Sequence, residues 1–221
     1  MVKRGEGEIQ LIPETLDDLW HLKHIIESGD LVYGCTKRKI ESATDKIRPE
    51  SVEKKTVRLG IRVERVEFQK FSHRLRVHGV IEDGVDIGSH HTLNVSEGTE
   101  ISVIKRWKKH QLLRINEAVK AAERPKVCIL TIEEGYATIG LLREYGVDEV
   151  AVIISSSGKG EGASRDSFLM EVIRHLKEIH WHTESIIIAG PGFVKDELMK
   201  VMKEKEPEMA SSTLVVDTSS T

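Results

Sequence analysis

Apolar and polar residues alternate with a period of two through much of the first half of the chain. Val57, Leu59, Ile61 and Val63 alternate with Arg58, Gly60 and Arg62, the pattern of a strand with one buried face. The same reading predicts strands at Glu8–Ile12, Leu31–Thr36, Arg74–Val80, His91–Val95 and Glu100–Arg106, with turns at Glu82-Asp83-Gly84 and Glu97-Gly98. Between the first two strands the period lengthens. Leu16, Leu19, Trp20, Leu22, Ile25 and Ile26 recur at helical spacing, so a helix is expected over Thr15–Ser28, with Trp20 in the core. Thr15 is its N-cap, Asp18 supplies the capping-box acid, and Gly29 stops it. From Lys37 to Lys55 no period holds and the residues are Ser, Thr, Glu, Lys and Arg with one Pro, so a long mobile loop is expected there. Short, closely spaced strands with one helix describe a small, strongly curved antiparallel sheet or barrel.

From Lys108 the pattern is helical through Leu112, Leu113, Ile115, Ala118, Val119 and Ala122, and it stops at Arg124-Pro125, because proline disfavours a helical residue before it. That places a domain boundary, giving domains 1–124 and 125–221. In the second domain, strands are expected at Val127–Ile132, Tyr136–Leu142 and Val150–Ser155, then a helix over Arg165–His180, a strand Ser185–Ala189, a helix Phe193–Lys205 and a strand Leu214–Val216. Three hairpin-like strands followed by alternating helix and strand form an α/β domain with a mixed sheet.

Charge sharpens this division. The net charge of −3 splits into +3 over residues 1–124 and −6 over the remainder, and residues 37–76 alone carry 13 basic and 6 acidic side chains. A local excess of that sign points to a polyanion partner. The candidate RNA-contacting residues are Lys37, Arg38, Lys39, Lys46, Arg48, Lys54, Lys55 and Arg58, in or beside the expected loop, with Lys105, Arg106, Lys108 and Lys109 closing the barrel. The longest apolar run, Val150–Ile154, is far too short to span a bilayer, and no apolar stretch of signal-peptide length follows the first residues. A cytoplasmic protein with no membrane partner is expected. Cys35 and Cys128 each sit in an apolar strand pattern and read as buried free thiols of a reducing compartment.

Other chemistry finds little purchase. Ser155-Ser156-Ser157-Gly158-Lys159-Gly160-Glu161-Gly162 resembles a phosphate cradle, but a P-loop needs glycine where Ile153 stands and a hydroxyl where Gly160 stands. An exposed strand-to-helix loop is the better reading, with Lys159 and Arg165 placed to touch phosphate from it. His73, His78, His90, His91, His175, His180 and His182 lack zinc-ligand spacing. Asp17-Asp18, Asp83 with Asp86, and Glu133-Glu134 are explained by a helix first turn and by turns, whereas metal-assisted phosphodiester cleavage needs converging carboxylates. No catalytic residue is assigned and no metal ligand is expected. No cofactor is needed for binding, and a divalent cation enters only if the chain is an endoribonuclease.

One ordered series of motifs is specific. Gly7-Glu8-Ile9-Gln10-Leu11-Ile12-Pro13-Glu14, Asp17-Asp18-Leu19-Trp20-His21, Gly29-Asp30, Thr36-Lys37-Arg38-Lys39, Leu75-Arg76-Val77-His78-Gly79, Gly88-Ser89-His90-His91-Thr92 and Ile188-Ala189-Gly190-Pro191-Gly192-Phe193-Val194 together resemble the Pelota family in its archaeal form. The resemblance implies an N-terminal Sm-like β-barrel with one helix and a central RNase H-like mixed-sheet domain akin to the middle domain of class-one release factors. It implies recognition of stalled ribosomes through the vacant A site and ribosome rescue in no-go and non-stop mRNA surveillance. The implied partners are the ribosome with its rRNA and mRNA, an elongation-factor-like translational GTPase and an ABC-type recycling ATPase, and a monomer is expected. Release factors carry Gly-Gly-Gln in the central-domain loop; Ser155–Arg165 has none, as the resemblance requires. Some archaeal members have been credited with a metal-dependent endoribonuclease activity, which is the alternative function. The family continues into a third α/β domain, which this sequence, ending at Thr221, is expected to lack.

Overall fold

The computed structural model describes residues 7–39, 54–121, 124–155, 161–180 and 183–219. The chain divides into two compact units, residues 1–122 and 123–221.

The first unit contains β1 (Gly7–Leu11), α1 (Leu16–Ile25), β2 (Leu31–Lys39), β3 (Lys54–Gln69), β4 (Arg74–Asp83), β5 (His90–Val95), β6 (Ile101–Lys105) and α2 (Lys109–Ala121). Among the described residues its strands form one sheet in the order β1-β6-β2-β3-β4-β5, with every pairing antiparallel. The sheet curls until Leu93 of β5 lies over Gly34 of β2, where an added Cβ would come within 3.3 Å of Leu93. Two register shifts in β3, at Gly60/Ile61 and Val63/Arg65, supply the bend. The concave face and α1 share one core: Leu19, Leu22 and Ile25 of the helix are buried with Val32, Leu59, Ile61, Leu75, Val77, Leu93 and Val103. Helix α1 starts as its sequence dictates. The Thr15 side chain accepts from the Asp18 N–H, and the Asp18 carboxylate accepts from the Thr15 N–H at 2.8 Å, a reciprocal capping box.

Four details differ from the sequence reading. Helix α1 ends at Ile25 rather than Ser28, because Ile26 is extended and buried. Strands β2 and β3 continue to Lys39 and back from Lys54, so both flanks of the expected loop are paired strand; residues 40–53 lie outside the described residues. Trp20 is half-buried, with its ring edge-on to His24 at 4.2 Å and to Phe68 at 5.9 Å. Cys35 is exposed, because it sits on the outward face of β2 opposite Arg58.

The second unit contains β7 (Val127–Glu133), β8 (Tyr136–Arg143), β9 (Gly146–Ile154), α3 (Glu161–His180), β10 (Ser185–Gly190), α4 (Val194–Lys205), α5 (Pro207–Ser211) and β11 (Thr213–Asp217). The sheet order is β11-β10-β7-β8-β9, with β7–β8 and β8–β9 antiparallel and β10 parallel to both β7 and β11. An antiparallel meander continued by parallel crossover strands is the RNase H-like topology. Phe168, Leu169, Val172, Ile173 and Leu176 of α3, and Val194, Leu198 and Met202 of α4, pack on Cys128, Leu130, Ile132, Ile139, Ile186 and Ile188 of the sheet. Burial pushes the Cys128 thiol up to about 11, so this cysteine is an inert core residue. Helix α5 escaped the sequence reading, being five residues long, and it begins on Pro207 as an N-terminal proline allows.

Candidate nucleic-acid interface

Pairing of β2 with β3 decides which of the cations face solvent together. The register sets Cys35 opposite Arg58, Lys37 opposite Thr56, Arg38 opposite Lys55 and Lys39 opposite Lys54. Residues directly opposite in an antiparallel pair share a face, and the face alternates along each strand. Val32, Gly34 and Thr36 therefore lie with Ile61, Leu59 and Val57 on the inward face, and that parity continues to Arg38 and Lys55. The other face carries Tyr33, Cys35 and Lys37 beside Thr56 and Arg58. The outward cations with described side chains are thus Lys37 and Arg58, both exposed. The Arg58 guanidinium extends over the Tyr33 ring at 5.5 Å and reaches Ser102 Oγ at 3.5 Å. Burial is the first cause that holds the Tyr33 hydroxyl above the usual range, with an Asp83 hydrogen bond second.

Arg38 is engaged within the barrel. Its Nε lies 2.8 Å from Asp86 Oδ2 with only 20% of the side chain exposed, and Asp86 adopts the left-handed conformation (φ 58) to meet it. Arg38 thereby ties the end of β2 to the turn before β5. His91 lies in the same region, its Nε2 3.1 Å from Thr36 Oγ1. Burial first, and the Arg38 charge second, lower the His91 pKa. Lys55 is exposed beside this pair. Lys46, Arg48 and Lys159 lie outside the described residues. Arg165, at the start of the described side chains of α3, is ion-paired with Glu134 and Glu197, both at 3.1 Å.

Of the four cations expected to close the barrel, Lys105 and Lys108 pair with its own acids, and only Lys105 is buried. Lys105 is 3% exposed and donates to Asp30 Oδ2 (2.6 Å), the Ile25 carbonyl (2.8 Å) and Glu27 Oε2 (3.4 Å). Lys108 binds both Glu27 oxygens at 2.9 and 3.0 Å, and this hydrogen bond is the first cause of a lowered Glu27 pKa. Lys105 therefore bonds to the last turn of α1 and the loop after it, which its position in a basic run does not reveal. Arg106 and Lys109 remain exposed.

The candidate acids do not converge. Asp18 caps α1, Asp83 meets Tyr33, and Asp86 meets Arg38. One further grouping appears on the outer side of β4 and β5. His78 and His90 stack at 5.7 Å, with their Nε2 atoms 3.8 and 3.4 Å from the Glu64 carboxylate, because the β3 irregularity between Val63 and Arg65 turns Glu64 toward them. Among the described residues, no group of three His, Cys, Asp or Glu side chains has metal-binding geometry, and no helix is long and apolar enough to cross a membrane.

The motifs that stood out in the sequence now have positions. Gly7–Leu11 is β1, Asp17–His21 lies in α1, and Thr36–Lys39 is the end of β2. Two glycines among them are dictated by close approach. A Cβ on Gly79 would stand 1.9 Å from the Arg62 carbonyl oxygen, and one on Gly190 would stand 1.9 Å from that of Ile132.

Comparison with known proteins agrees with this architecture. The sequence profile of the Pelota N-terminal domain matches residues 1–119. A protein pelota homolog of Methanococcoides burtonii is 57% identical over 215 residues, covering 97% of this chain and 62% of that protein. Another, of Methanothrix thermoacetophila, is 54% identical over 221 residues, covering all of this chain and 64% of that protein. The crystal structure of the Thermoplasma acidophilum Pelota protein superimposes with a TM-score of 0.65 at 25% identity, over 99% of this chain and 60% of that one. The chain thus spans about three fifths of the length of these relatives. With the N-terminal domain profile matched across more than half of its residues, the chain belongs to the Pelota family.

Proposed function

We propose that this chain is the RNA-contacting part of a ribosome-rescue factor, which recognises a stalled ribosome by its vacant A site and promotes subunit dissociation. The observation that carries the reading is the outward pair Lys37 and Arg58 on β2 and β3, at the mouth of a segment that adds Lys46 and Arg48. These cations stand on paired strands with no ion pair among the described residues, so they are available to phosphate. Arg38, neutralised by Asp86, positions the strand end instead. Family membership supports assigning the first unit to the decoding region of the ribosome and the second to the role of a release-factor middle domain. In this reading the partners are an elongation-factor-like translational GTPase and an ABC-type recycling ATPase, and the protein works in the cytoplasm as a monomer.

The chain acts by binding. Asp17 and Asp18 are spent on the first turn of α1, and Asp83 and Asp86 are engaged by Tyr33 and Arg38, so these acids supply no converged pair for metal-assisted cleavage of the message. Sedimentation with ribosomes tests the proposal: the chain should pellet with ribosomes whose A site is empty and be released when aminoacyl-tRNA fills that site. Equal binding to both would refute A-site recognition.

A further inference from the structure

The β3–β4 hairpin ends in an aromatic side chain placed where folding has no use for it. Phe71 is 98% exposed, at the centre of a 3-10 turn, Lys70–Ser72, that joins the two strands. Exposing a whole phenyl ring to water is unfavourable, and the turn is built so that the ring stays out. The Lys70 carbonyl accepts from the His73 N–H at 3.3 Å, Ser72 Oγ donates to Gln69 Oε1 at 3.0 Å, and His73 takes the left-handed conformation (φ 50) to return the chain into β4. Below the turn, Gln69 pairs with Arg74 and Phe68 with Leu75, and Phe68 meets Trp20 of α1 at 5.9 Å. The backbone that carries the ring is therefore braced, so little backbone freedom is lost when something stacks on it.

Its neighbours define what that partner is. Residues 65–76 contain Arg65, Lys70, Arg74 and Arg76 against the single acid Glu67. Glu67 is itself taken up by Arg65 at 3.1 Å and Arg76 at 3.7 Å. An exposed aromatic ring among cations is the combination that holds single-stranded nucleic acid, the ring stacking on a base and the cations following the phosphates. We propose that Phe71 is a base-stacking contact to unpaired RNA, with Lys70 and Arg74 on the flanking phosphates. The inference deepens the proposed RNA-binding role by adding a second contact point, separate from Lys37 and Arg58.

The test is fluorescence anisotropy of the 221-residue chain with a labelled 12-nucleotide oligoadenylate RNA across a salt series. Phe71→Ala should weaken binding about tenfold while leaving the salt slope unchanged, since stacking releases no counterions. Phe71→Tyr should bind as the wild type does. Lys70→Ala with Arg74→Ala should flatten the log–log slope by roughly one unit or more. Phe71 is 98% exposed, so replacing it leaves the core untouched, and circular dichroism verifies the fold of every variant. If Phe71→Ala and Phe71→Glu bind as the wild type does while Lys37→Glu with Arg58→Glu weakens binding, the stacking contact is wrong and the RNA-binding role stands. If the wild type fails to bind the oligonucleotide even at low salt, both are overturned.

Discussion

Removing the charge of Asp30 should destabilise the first unit severely while leaving RNA affinity untouched. Lys105 Nζ is almost completely buried, and its shortest contact is Asp30 Oδ2 at 2.6 Å. That same oxygen accepts from the Glu27 N–H at 2.8 Å, so the carboxylate joins the loop after α1 to β6. Asp30→Asn keeps the size but leaves a buried ammonium facing a neutral amide. Breaking a buried pair in this way costs about 3–5 kcal/mol. Glu27, at 3.4 Å and 43% exposed, remains as a weaker counter-charge, which puts the expectation near the lower limit, about 3 kcal/mol. For a unit of this size that is roughly 10 °C in melting temperature. Lys105→Met should cost a comparable amount, and the double variant much less than the two together, because neither leaves an orphaned charge once both are gone. Calorimetry of the four proteins measures the cycle, and RNA binding of Lys105→Met is measured beside it. Strictly additive effects, or a loss below about 1 kcal/mol for Asp30→Asn, would refute the buried-pair account. A fall in RNA affinity for folded Lys105→Met would return this residue to the interface.

Gly79→Ala should destabilise the first unit by about 3 kcal/mol or more, since its Cβ would meet the Arg62 carbonyl oxygen at 1.9 Å; a thermal melt close to that of the wild type would show that β3 and β4 separate easily there. His91 should titrate below its ordinary 6.5, mainly because it is buried. Its neutral form is then favoured by folding, so stability falls as pH drops through 6.5 towards the lowered folded-state pKa and is unaffected above that window. NMR titration of Arg38→Gln should show the His91 midpoint moving part of the way back, and a midpoint that stays put would remove Arg38 as a cause. Thr15→Ala should cost about 1 kcal/mol by breaking the capping box, read as a shift in urea midpoint; no shift would mean that Asp18 alone secures the helix start. The chain should release no peptide from peptidyl-tRNA, lacking a Gly-Gly-Gln loop; codon-independent release by purified protein would contradict this.

Periodicity was legible wherever one face of an element is buried. The strands from Val57 to Val63 and from Arg74 to Val80, and the α1 stripe of Leu16, Leu19, Leu22 and Ile25, all pack as their alternation demands. Reading stopped short in two strands. β3 runs on through Glu64 to Gln69, where the register shift between Val63 and Arg65 displaces the alternation of Val66 and Phe68 by one residue, and β9 starts at Gly146 rather than Val150, paired with β8 where no hydrophobic alternation marks it. The charge run showed that cations gather in the first half of the chain, but not which of them are free. Lys37 and Arg58 face solvent, Arg38 meets Asp86, and Lys105 meets Asp30, and these partners lie tens of residues away in sequence. Phe71 looked like any other apolar residue, since only the turn geometry reveals that it is exposed.

The central claim is that outward cations of the β2–β3 ladder hold RNA phosphate, and the salt dependence of ribosome binding tests it most directly. The affinity of the wild-type chain for ribosomes with an empty A site, and that of Lys37→Glu with Arg58→Glu, would be measured over a range of potassium concentrations. Each lost phosphate contact should flatten the log–log slope by roughly 0.7–0.9, so the double variant should bind more weakly at low salt with a slope shallower by roughly 1.5. Unchanged affinity and unchanged slope in the double variant would contradict the account.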